Sequence, residues 1–323
     1  MKILIVNDAL TQIEGTKTFW HDLVEWTGGE FVGTNFDGLS DIVEYHIREK
    51  CPDGVDLIIR NGSYFGPLKA SEKIPTISLI QDILEGYGAI QQRAVIAGSW
   101  ATVYNSAFTK DKIDLADADW EKYLAKDNHP HIRRVIPLPV DFEKFTIGNR
   151  MGLQQVLGLP ENTICWIGSQ NPVKGWDIFL SIARMNPDLK FAAIFKDQAP
   201  EYCPPNMRVY LKLTHDDLVN VIGACRVGLC TSRTETQHLA GIEMGACGLP
   251  LVAPEIGVYW GRRDLPGVLV GEPGPAAYTT AIRAVLSSPN DPHQIRAYWE
   301  EQFSKPVIRE KWEDLIGQVC RRT

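Results

Sequence analysis

The stretch from Val227 to Pro254 constrains the fold of this chain more than any other part of its sequence. An apolar run, Val227–Cys230, is followed by a polar loop, an amphipathic segment from about Gln237 to Ala246, a glycine stop at Gly248 and a second apolar run at 250–253. That order predicts strand, loop, helix and strand. Because a helix that follows a parallel strand presents unpaired N–H groups at its start, the stretch predicts an anion-binding loop in an α/β sheet.

Two carboxylates frame this loop. Glu235 precedes the predicted helix, and Glu243 lies within it. Either residue alone is typical of a solvated helix surface. Together with the strand before them and the Gly-Leu-Pro stop after them, they indicate a binding site at the end of the sheet.

The segment resembles a known signature. Glu235-x7-Glu243, followed by Met-Gly-Ala-Cys-Gly-Leu-Pro-Leu-Val-Ala, is similar to the EX7E motif of the retaining GT-B glycosyltransferases of glycosyltransferase family 4. The resemblance implies an α/β fold of two Rossmann-like domains with parallel sheets and a cleft between them. It also implies that Glu235 contacts the donor sugar and that Glu243 holds the nucleotide ribose.

A second segment resembles the family text G-R-L-x-x-x-K-G-x-D. It is Gly168-Ser169-Gln170-Asn171-Pro172-Val173-Lys174-Gly175-Trp176-Asp177. The resemblance implies that Lys174 binds the donor diphosphate, and with Glu235 it forms the predicted catalytic pair. Ser169 stands where the family has an arginine, so Lys174 and the helix start after Glu235 would have to stabilise most of the leaving-group charge.

Three more residues near the EX7E segment are candidate donor contacts. His238 replaces a family glycine, and two interpretations stay open: its ring donates to a phosphate, or it caps and packs the helix. Leu239 follows it and is assigned to the same site. Arg233 is either a second cation for the donor or a surface residue.

The N-terminal half departs further from the family. A strand at 2–6 is not followed by the G-x-G-x-x-G of a dinucleotide-binding dehydrogenase, and only Gly15 remains where the family carries a glycine pair. Gln81 stands where the family has a histidine near the reacting sugar carbon, and an amide cannot become cationic near neutral pH. Both residues are retained as donor-binding candidates.

The length of 323 residues predicts two domains. Residues 1–143 form a Rossmann-like acceptor-side domain, to which a C-terminal helix at about 306–323 crosses back. Residues 144–305 form a Rossmann-like nucleotide-sugar-binding domain. The linker is placed at 136–145, where Pro137 and Pro139 disfavour a continuous helix.

Composition narrows the class of protein. The first 143 residues carry 14 basic and 22 acidic residues, which argues against a nucleic-acid partner. Seven cysteines without a C-x-x-C pair suggest neither a disulfide framework nor a zinc site. No apolar stretch of about 18 residues and no signal peptide is apparent, so we expect a cytoplasmic protein without a transmembrane segment. Peripheral membrane contact stays open.

The resemblance therefore implies a hexosyltransferase that acts with retention, and we expect it to need neither a metal nor a cofactor. Its donor would be a UDP- or GDP-linked hexose and its acceptor a saccharide or lipid-linked hydroxyl, in glycan or glycolipid synthesis. The D-x-D sequence Asp117-x-Asp119 does not follow a predicted strand, so we do not expect it to bind a metal. Two alternatives remain: a non-catalytic nucleotide-sugar-binding protein, and a GT-B sugar-nucleotide epimerase.

Overall fold

The computed structural model describes residues 1–7, 14–33, 39–51, 53–62, 68–115 and 131–321. The chain divides into two compact units, of which the first comprises Met1–Pro139 with Pro306–Thr323 and the second Val140–Lys305. The sequence placed the boundary a few residues later, at 143. The assignment of an acceptor side and a nucleotide-sugar side to these units, and the cleft between them, stay predictions.

The first unit contains a parallel six-stranded sheet in the order β2-β1-β3-β4-β5-β6. Its strands are β1 (Ile3–Asn7), β2 (Glu30–Gly33), β3 (Leu57–Asn61), β4 (Thr76–Ile80), β5 (Ala101–Tyr104) and β6 (Ile132–Val135). The described helices between them are α1 (Glu14–Thr27), α2 (Leu39–Lys50), α3 (Gly86–Ala97) and α4 (Ala107–Leu115), with a 3₁₀ turn at Lys69–Glu72.

The second unit contains another parallel six-stranded sheet, in the order β12-β11-β10-β7-β8-β9. Its strands are β7 (Thr163–Gly168), β8 (Lys190–Phe195), β9 (Met207–Leu211), β10 (Val227–Leu229), β11 (Leu251–Pro254) and β12 (Gly267–Val270). Its helices are α5 (Arg150–Leu157), α6 (Trp176–Met185), α7 (His215–Ala224), α8 (Leu239–Ala246), α9 (Pro275–Ser287) and α10 (Pro292–Phe303), and 3₁₀ turns lie at Pro172–Lys174 and Gly257–Tyr259. The last helix, α11 (Lys305–Cys320), belongs to the first unit from Pro306 onward.

Both faces of the second sheet are covered, which explains its nearly continuous apolar strands. Successive side chains of β7 point to opposite faces. Trp166 packs in one core cluster with Phe179 of α6, and the centroids of their stacked rings are 4.9 Å apart. Cys165 packs in the other cluster, with Ile242 of α8 and Trp299 of α10. This two-sided burial fixes the strand ends from which the site loops emerge.

The strand, loop, helix and strand predicted for 227–254 are confirmed as β10, α8 and β11. The helix begins at Leu239, two residues later than predicted, because His238 has a left-handed backbone (φ 72°) that cannot continue a helix. Ser106 is the N-cap residue of α4, since its Oγ accepts a hydrogen bond from the Thr109 N–H at 3.1 Å.

The chain has a helical break at Ser304, because α10 ends at Phe303 and α11 begins at Lys305, one residue before the start predicted at about 306. At the other end of the chain, α1 begins at Glu14, so Gly15 lies in its first turn and not in the preceding loop. None of the helices within the described ranges has the length and apolar character needed to cross a membrane.

Candidate functional site

The candidate site lies beside the two central strands of the second sheet, where the order in which the chain adds strands reverses. The chain builds β7, β8 and β9 towards one edge and β10, β11 and β12 towards the other, so β7 and β10 are neighbours at the topological switch point. Ligands of open parallel sheets bind outside the carboxyl ends of such strands. The loops that follow these two strands carry five of the predicted site residues: Ser169, Lys174, Arg233, Glu235 and His238.

The centre of the site is an ion pair between these two loops. Lys174 Nζ lies 2.6 Å from Glu235 Oε1, and Ser232 Oγ donates to the same oxygen at 2.7 Å. The Glu235 side chain is 11% exposed and the Lys174 side chain 38%. The pair is therefore closed on its carboxylate side and open to solvent on its ammonium side.

Glu235 is held in its ionised form. Burial is the largest influence on its pKa and would raise it, but His238, Lys174 and Ser232 act in the opposite sense, and the pKa lies below its ordinary value. His238 is neutral at pH 7, as shown below. The ammonium group of Lys174 and the hydroxyl of Ser232 are therefore the partners that stabilise the carboxylate at that pH.

A glycine allows the two loops to approach each other. Gly175 has a positive φ of 65°, and a Cβ there would lie 1.9 Å from the carbonyl oxygen of Thr231. Trp166 Nε1 donates to Thr231 Oγ1 at 2.9 Å, and that hydroxyl donates to the carbonyl oxygen of Lys174 at 3.1 Å. The core tryptophan thus fixes the loop that carries the lysine.

Arg233 links the same loops through its own ion pair. Its guanidinium donates to both carboxylate oxygens of Asp177, at 2.9 and 2.6 Å, and its backbone N–H donates to the carbonyl oxygen of Val173 at 2.8 Å. The hydrogen bond from Arg233 lowers the pKa of Asp177 below its ordinary value. The guanidinium charge is already balanced here, and the predicted contact of Arg233 with the donor stays a prediction.

His238 neither caps the helix nor points freely to solvent. It is the residue before α8, and its side chain makes no capping hydrogen bond. Its Nδ1 is hydrogen-bonded to the hydroxyl of Tyr259. Tyr259 is fully buried, and within the described ranges its hydroxyl has no other hydrogen-bond partner. Because most buried phenols donate to an acceptor within reach, and Nδ1 is the acceptor that Tyr259 contacts, we infer that Tyr259 donates to Nδ1.

This hydrogen bond determines the tautomer of His238. With Nδ1 acting as acceptor, the ring proton resides on Nε2, which becomes a neutral N–H donor. Burial lowers the pKa of His238 to about 4. The space for the pair is provided by Gly241, where a Cβ would lie 1.8 Å from the Tyr259 hydroxyl oxygen.

Replacement of Tyr259 by phenylalanine tests this assignment. We expect the pKa of His238 to rise and the protein to lose about 1–3 kcal/mol of stability, because Nδ1 loses its donor in a buried place. Nitrogen chemical shifts of the His238 ring, followed with pH, report the pKa and the tautomer. Tyr278→Phe is a matched control, since the buried Tyr278 hydroxyl has no hydrogen-bond partner within the described residues. Unchanged ring shifts in Tyr259→Phe would contradict the assignment.

Glu243 differs from Glu235 in having no partner. Its side chain is half-buried in α8, and among the described residues no group forms a hydrogen bond or ion pair with its carboxylate. Burial raises its pKa to about 7. Glu243 is thus poised to exchange a proton near neutral pH and to accept hydrogen bonds from a ligand that brings its own donors. Leu239 is half-buried at the start of the same helix and packs against the adjoining core.

The remaining predicted residues are less closely tied to this centre. Ser169 is exposed directly after β7, and its Oγ lies 3.4 Å from the Asn171 N–H. Gly15 and Gln81 belong to the first unit, in the first turn of α1 and directly after β4. Gln81 is buried, and its carbonyl oxygen accepts from Asn105 Nδ2 at 3.3 Å. Their roles in donor binding stay predictions. Asp117 and Asp119 lie outside the described residues.

Sequence reasoning missed several partners that shape the site. They are Thr231, Ser232, Tyr259 and, as the counterion of Arg233, Asp177. Ser232 lies three residues before Glu235, a spacing that local side-chain pairing can indicate. Tyr259 lies 21 residues from His238, and no sequence periodicity brings two such positions together.

No protein-family model matches the sequence. A D-inositol 3-phosphate glycosyltransferase of Geodermatophilus obscurus is 29% identical over 205 residues, which cover 55% of this chain and 46% of that protein. A D-inositol 3-phosphate glycosyltransferase of Catenulispora acidiphila is 29% identical over 224 residues, which cover 61% of this chain and 51% of that protein. The chain therefore spans about half the length of the curated relatives it matches.

Solved structures resemble nearly the whole chain. A sucrose-phosphate synthase from Thermosynechococcus elongatus has a TM-score of 0.73 at 13% identity and covers 100% of both chains. Anabaena HepE in complex with UDP and glucose has a TM-score of 0.74 at 15% identity, covering 98% of this chain and 100% of HepE. WaaG, a glycosyltransferase involved in lipopolysaccharide biosynthesis, has a TM-score of 0.63 at 12% identity, covering 98% and 99%. The fold is therefore that of the GT-B glycosyltransferases, as the sequence predicted.

Proposed function

We propose that this chain is a retaining glycosyltransferase of family 4 type. It would move a hexose from a UDP- or GDP-linked donor to a hydroxyl of a saccharide or lipid-linked acceptor, in glycan or glycolipid synthesis. The observation that carries the proposal is the Lys174–Glu235 pair, at 2.6 Å, on adjacent loops at the switch point of the second sheet. The glycosyltransferase relatives and the GT-B fold support the same class.

Each charged residue has a distinct part in the proposal. The Lys174 side chain is partly exposed, and its ammonium group would donate to the diphosphate of the nucleotide sugar. The negative charge of the diphosphate grows as its bond to the sugar breaks. A hydrogen-bond donor placed beside such a developing charge lowers the reaction barrier by about 3–4 kcal/mol. Glu235 stays ionised beside Lys174 and Ser232 and holds sugar hydroxyls, which donate to its carboxylate.

His238 supplements Lys174 in this scheme. Its Nε2–H is a neutral donor close to the residues that bind the phosphate, and it compensates in part for Ser169, which cannot supply a charge. The acceptor hydroxyl would attack on the face from which the diphosphate departs, which gives retention. The residues of the chain bind and orient the donor, and the proposal requires neither a metal nor a cofactor.

Two other functions agree with the same residues. A non-catalytic nucleotide-sugar-binding protein is favoured by Ser169 and Gln81, which replace a family arginine and histidine. A GT-B sugar-nucleotide epimerase would change the donor without an acceptor. Binding alone separates neither of them from a transferase, so the test must follow the fate of the sugar.

The test is a thermal-shift and hydrolysis screen against UDP-, GDP- and ADP-sugars. We expect one nucleotide to stabilise the protein and its sugar to be released slowly, with both effects lost in Lys174→Ala and Glu243→Ala. Addition of candidate acceptors, including D-inositol 3-phosphate because of the relatives' names, should convert hydrolysis into transfer. Binding without sugar release would favour the binding protein, and an epimeric nucleotide sugar would favour the epimerase. No shift with any nucleotide would contradict the proposal.

The raised pKa of Glu243 gives a prediction for pH. Donor affinity should fall about tenfold for each pH unit below 7, because ribose hydroxyls donate to the ionised carboxylate and a proton must first be lost. Calorimetric titrations in buffers of different ionisation enthalpy should show proton release at pH 6 and little at pH 8. Glu243→Gln should bind more weakly and without this pH dependence. If the donor affinity of Glu243→Gln still depended on pH in the same way, the assignment of the proton to Glu243 would be wrong.

The same group should affect folding in the opposite sense. A folded-state pKa of about 7, above the ordinary 4.5, means that the contribution of Glu243 to stability is fully present below pH 4.5 and is lost as the pH rises to about 7. Nucleotide binding should remove part of this loss, since it supplies partners for the carboxylate.

A further inference from the structure

The first unit contains a cluster of three different metal-ligating side chains. Glu30 is the first residue of β2, His46 lies in α2, and Cys51 directly follows that helix. Glu30 Oε1 lies 2.8 Å from His46 Nε2, and Glu30 Oε2 lies 3.9 Å from Cys51 Sγ. The three ligand atoms all lie within 4.8 Å of one another. One ion can therefore contact all three after small side-chain movements.

The elements around the cluster hold its ligands in place. β2 is the edge strand of the sheet and pairs with β1, where Glu30 lies opposite Leu4. The Cys51 N–H donates to the carbonyl oxygen of Ile47 at 3.1 Å, so the cysteine is fixed to the last turn of α2. Val43 and Ile47 of this helix pack in the core cluster that contains Val32 of β2. The strand and helix that supply the ligands share one core.

Burial is graded across the cluster. Cys51 is buried, the His46 side chain is 21% exposed and the Glu30 side chain is 43% exposed. The thiol therefore lies at the inner end, and the carboxylate lies at an end open to solvent. An ion can enter from the carboxylate side and keep a water molecule as its remaining ligand.

The chemistry of the three groups selects the ion. A thiolate, an imidazole and a carboxylate form a mixed donor set of the kind that Zn²⁺ binds in tetrahedral geometry, with a fourth position for water. Mg²⁺ and Ca²⁺ prefer several oxygen ligands, and this cluster offers one carboxylate. We propose that Glu30, His46 and Cys51 form a Zn²⁺ site that joins the edge strand β2 to the end of α2.

Binding changes the state of each ligand in a defined way. Cys51 loses its thiol proton to solvent and binds as the thiolate, while His46 binds through neutral Nε2. The direct contact between His46 and Glu30 is replaced by two bonds to the ion. The site stabilises the first unit, and it is independent of the glycosyltransferase proposal, which rests on the second.

The test is titration of the metal-free full-length protein with Co²⁺, followed by displacement with Zn²⁺. Wild type should develop a thiolate-to-Co²⁺ charge-transfer band with one equivalent of metal, and Zn²⁺ should remove it. Cys51→Ser should lose the band, and His46→Gln should bind much more weakly. Cys203→Ser is the control, because Cys203 is a partly exposed free thiol of the second unit, and this variant should retain the band.

A stability measurement makes the result independent of the spectroscopic probe. Zn²⁺ should raise the thermal midpoint of wild type and Cys203→Ser, and leave that of Cys51→Ser unchanged. Circular dichroism of the metal-free variants verifies that they fold. Absence of the band in wild type, or its persistence in Cys51→Ser, would overturn the proposal and leave Glu30 and His46 as a simple ion pair.

Discussion

Lys174→Met weakens binding of the nucleoside diphosphate selected by the donor screen by about 10- to 100-fold, because a hydrogen bond from a charged group is worth about 1.5–3 kcal/mol. Binding of the corresponding nucleoside, which has no phosphate, is unchanged. Titration calorimetry of both ligands measures the difference. The effect is expected to be large because Lys174 is a partly exposed cation at the switch point.

Two variants control for indirect effects of this change. Lys190→Met removes an exposed lysine from the start of β8 and should leave both affinities unchanged. Lys174→Met also leaves the mostly buried Glu235 carboxylate without its cation, at a cost of about 1–3 kcal/mol of stability. The double variant Lys174→Met with Glu235→Gln should recover part of that loss. Equal loss of nucleoside and nucleoside diphosphate binding would show that Lys174 acts through structure and not through phosphate.

Gly175→Ala is expected to destabilise the second unit by about 3 kcal/mol or more, since strained backbone and overpacking each cost about 1–3 kcal/mol. The added Cβ would lie 1.9 Å from the Thr231 carbonyl oxygen, so one of the two site loops must move. Diphosphate binding should be lost together with stability. Chemical denaturation and calorimetry measure the two effects.

Gly158→Ala separates backbone strain from the steric clash. Gly158 has nearly the same positive φ, 61°, but the nearest atom to its added Cβ is the end of the Arg208 side chain at 3.4 Å. This variant should lose only about 1–2 kcal/mol, the cost of a left-handed conformation in an alanine. Equal losses in the two variants would mean that the contact of Gly175 with Thr231 does not matter.

The fold was predictable because its signals are local. Apolar runs such as 227–230 and 250–253 are buried on both faces of a parallel sheet, and the helices between them show periodic apolar positions. The predicted start of α8 was two residues too early because His238 has a left-handed backbone, which the sequence pattern does not indicate. The reason for a glycine at position 241, which leaves room for the Tyr259 hydroxyl, is likewise apparent only when the contact between His238 and Tyr259 is known.

The sequence motifs selected five residues that lie on two neighbouring loops of the second unit, but the electrostatics of these loops could not be predicted. The two motifs identified Lys174 and Glu235, but the sequence could not show that they pair at 2.6 Å. The contrasting behaviour of the two glutamates also depends on tertiary structure. Glu235 has Lys174 and Ser232 as partners, whereas the half-buried Glu243 has none among the described residues.

Arg233 shows the limit of reasoning from residue type. Its charge and its position two residues before Glu235 suggested a cation for the donor. The structure also pairs it with Asp177, in the first turn of α6, where it joins the loops that carry Lys174 and Glu235, while its contact with the donor stays a prediction. Distances between loops of separate strands are set by the sheet order, and no local pattern encodes them.

A crystal structure of the protein with its nucleotide sugar tests the central claim most directly. We expect a diphosphate oxygen within about 3 Å of Lys174 Nζ, at hydrogen-bond distance. We also expect ribose hydroxyls on the Glu243 carboxylate and sugar hydroxyls on Glu235. A nucleotide bound elsewhere, with Lys174 and Glu235 still paired and Glu243 without a ligand, would contradict it.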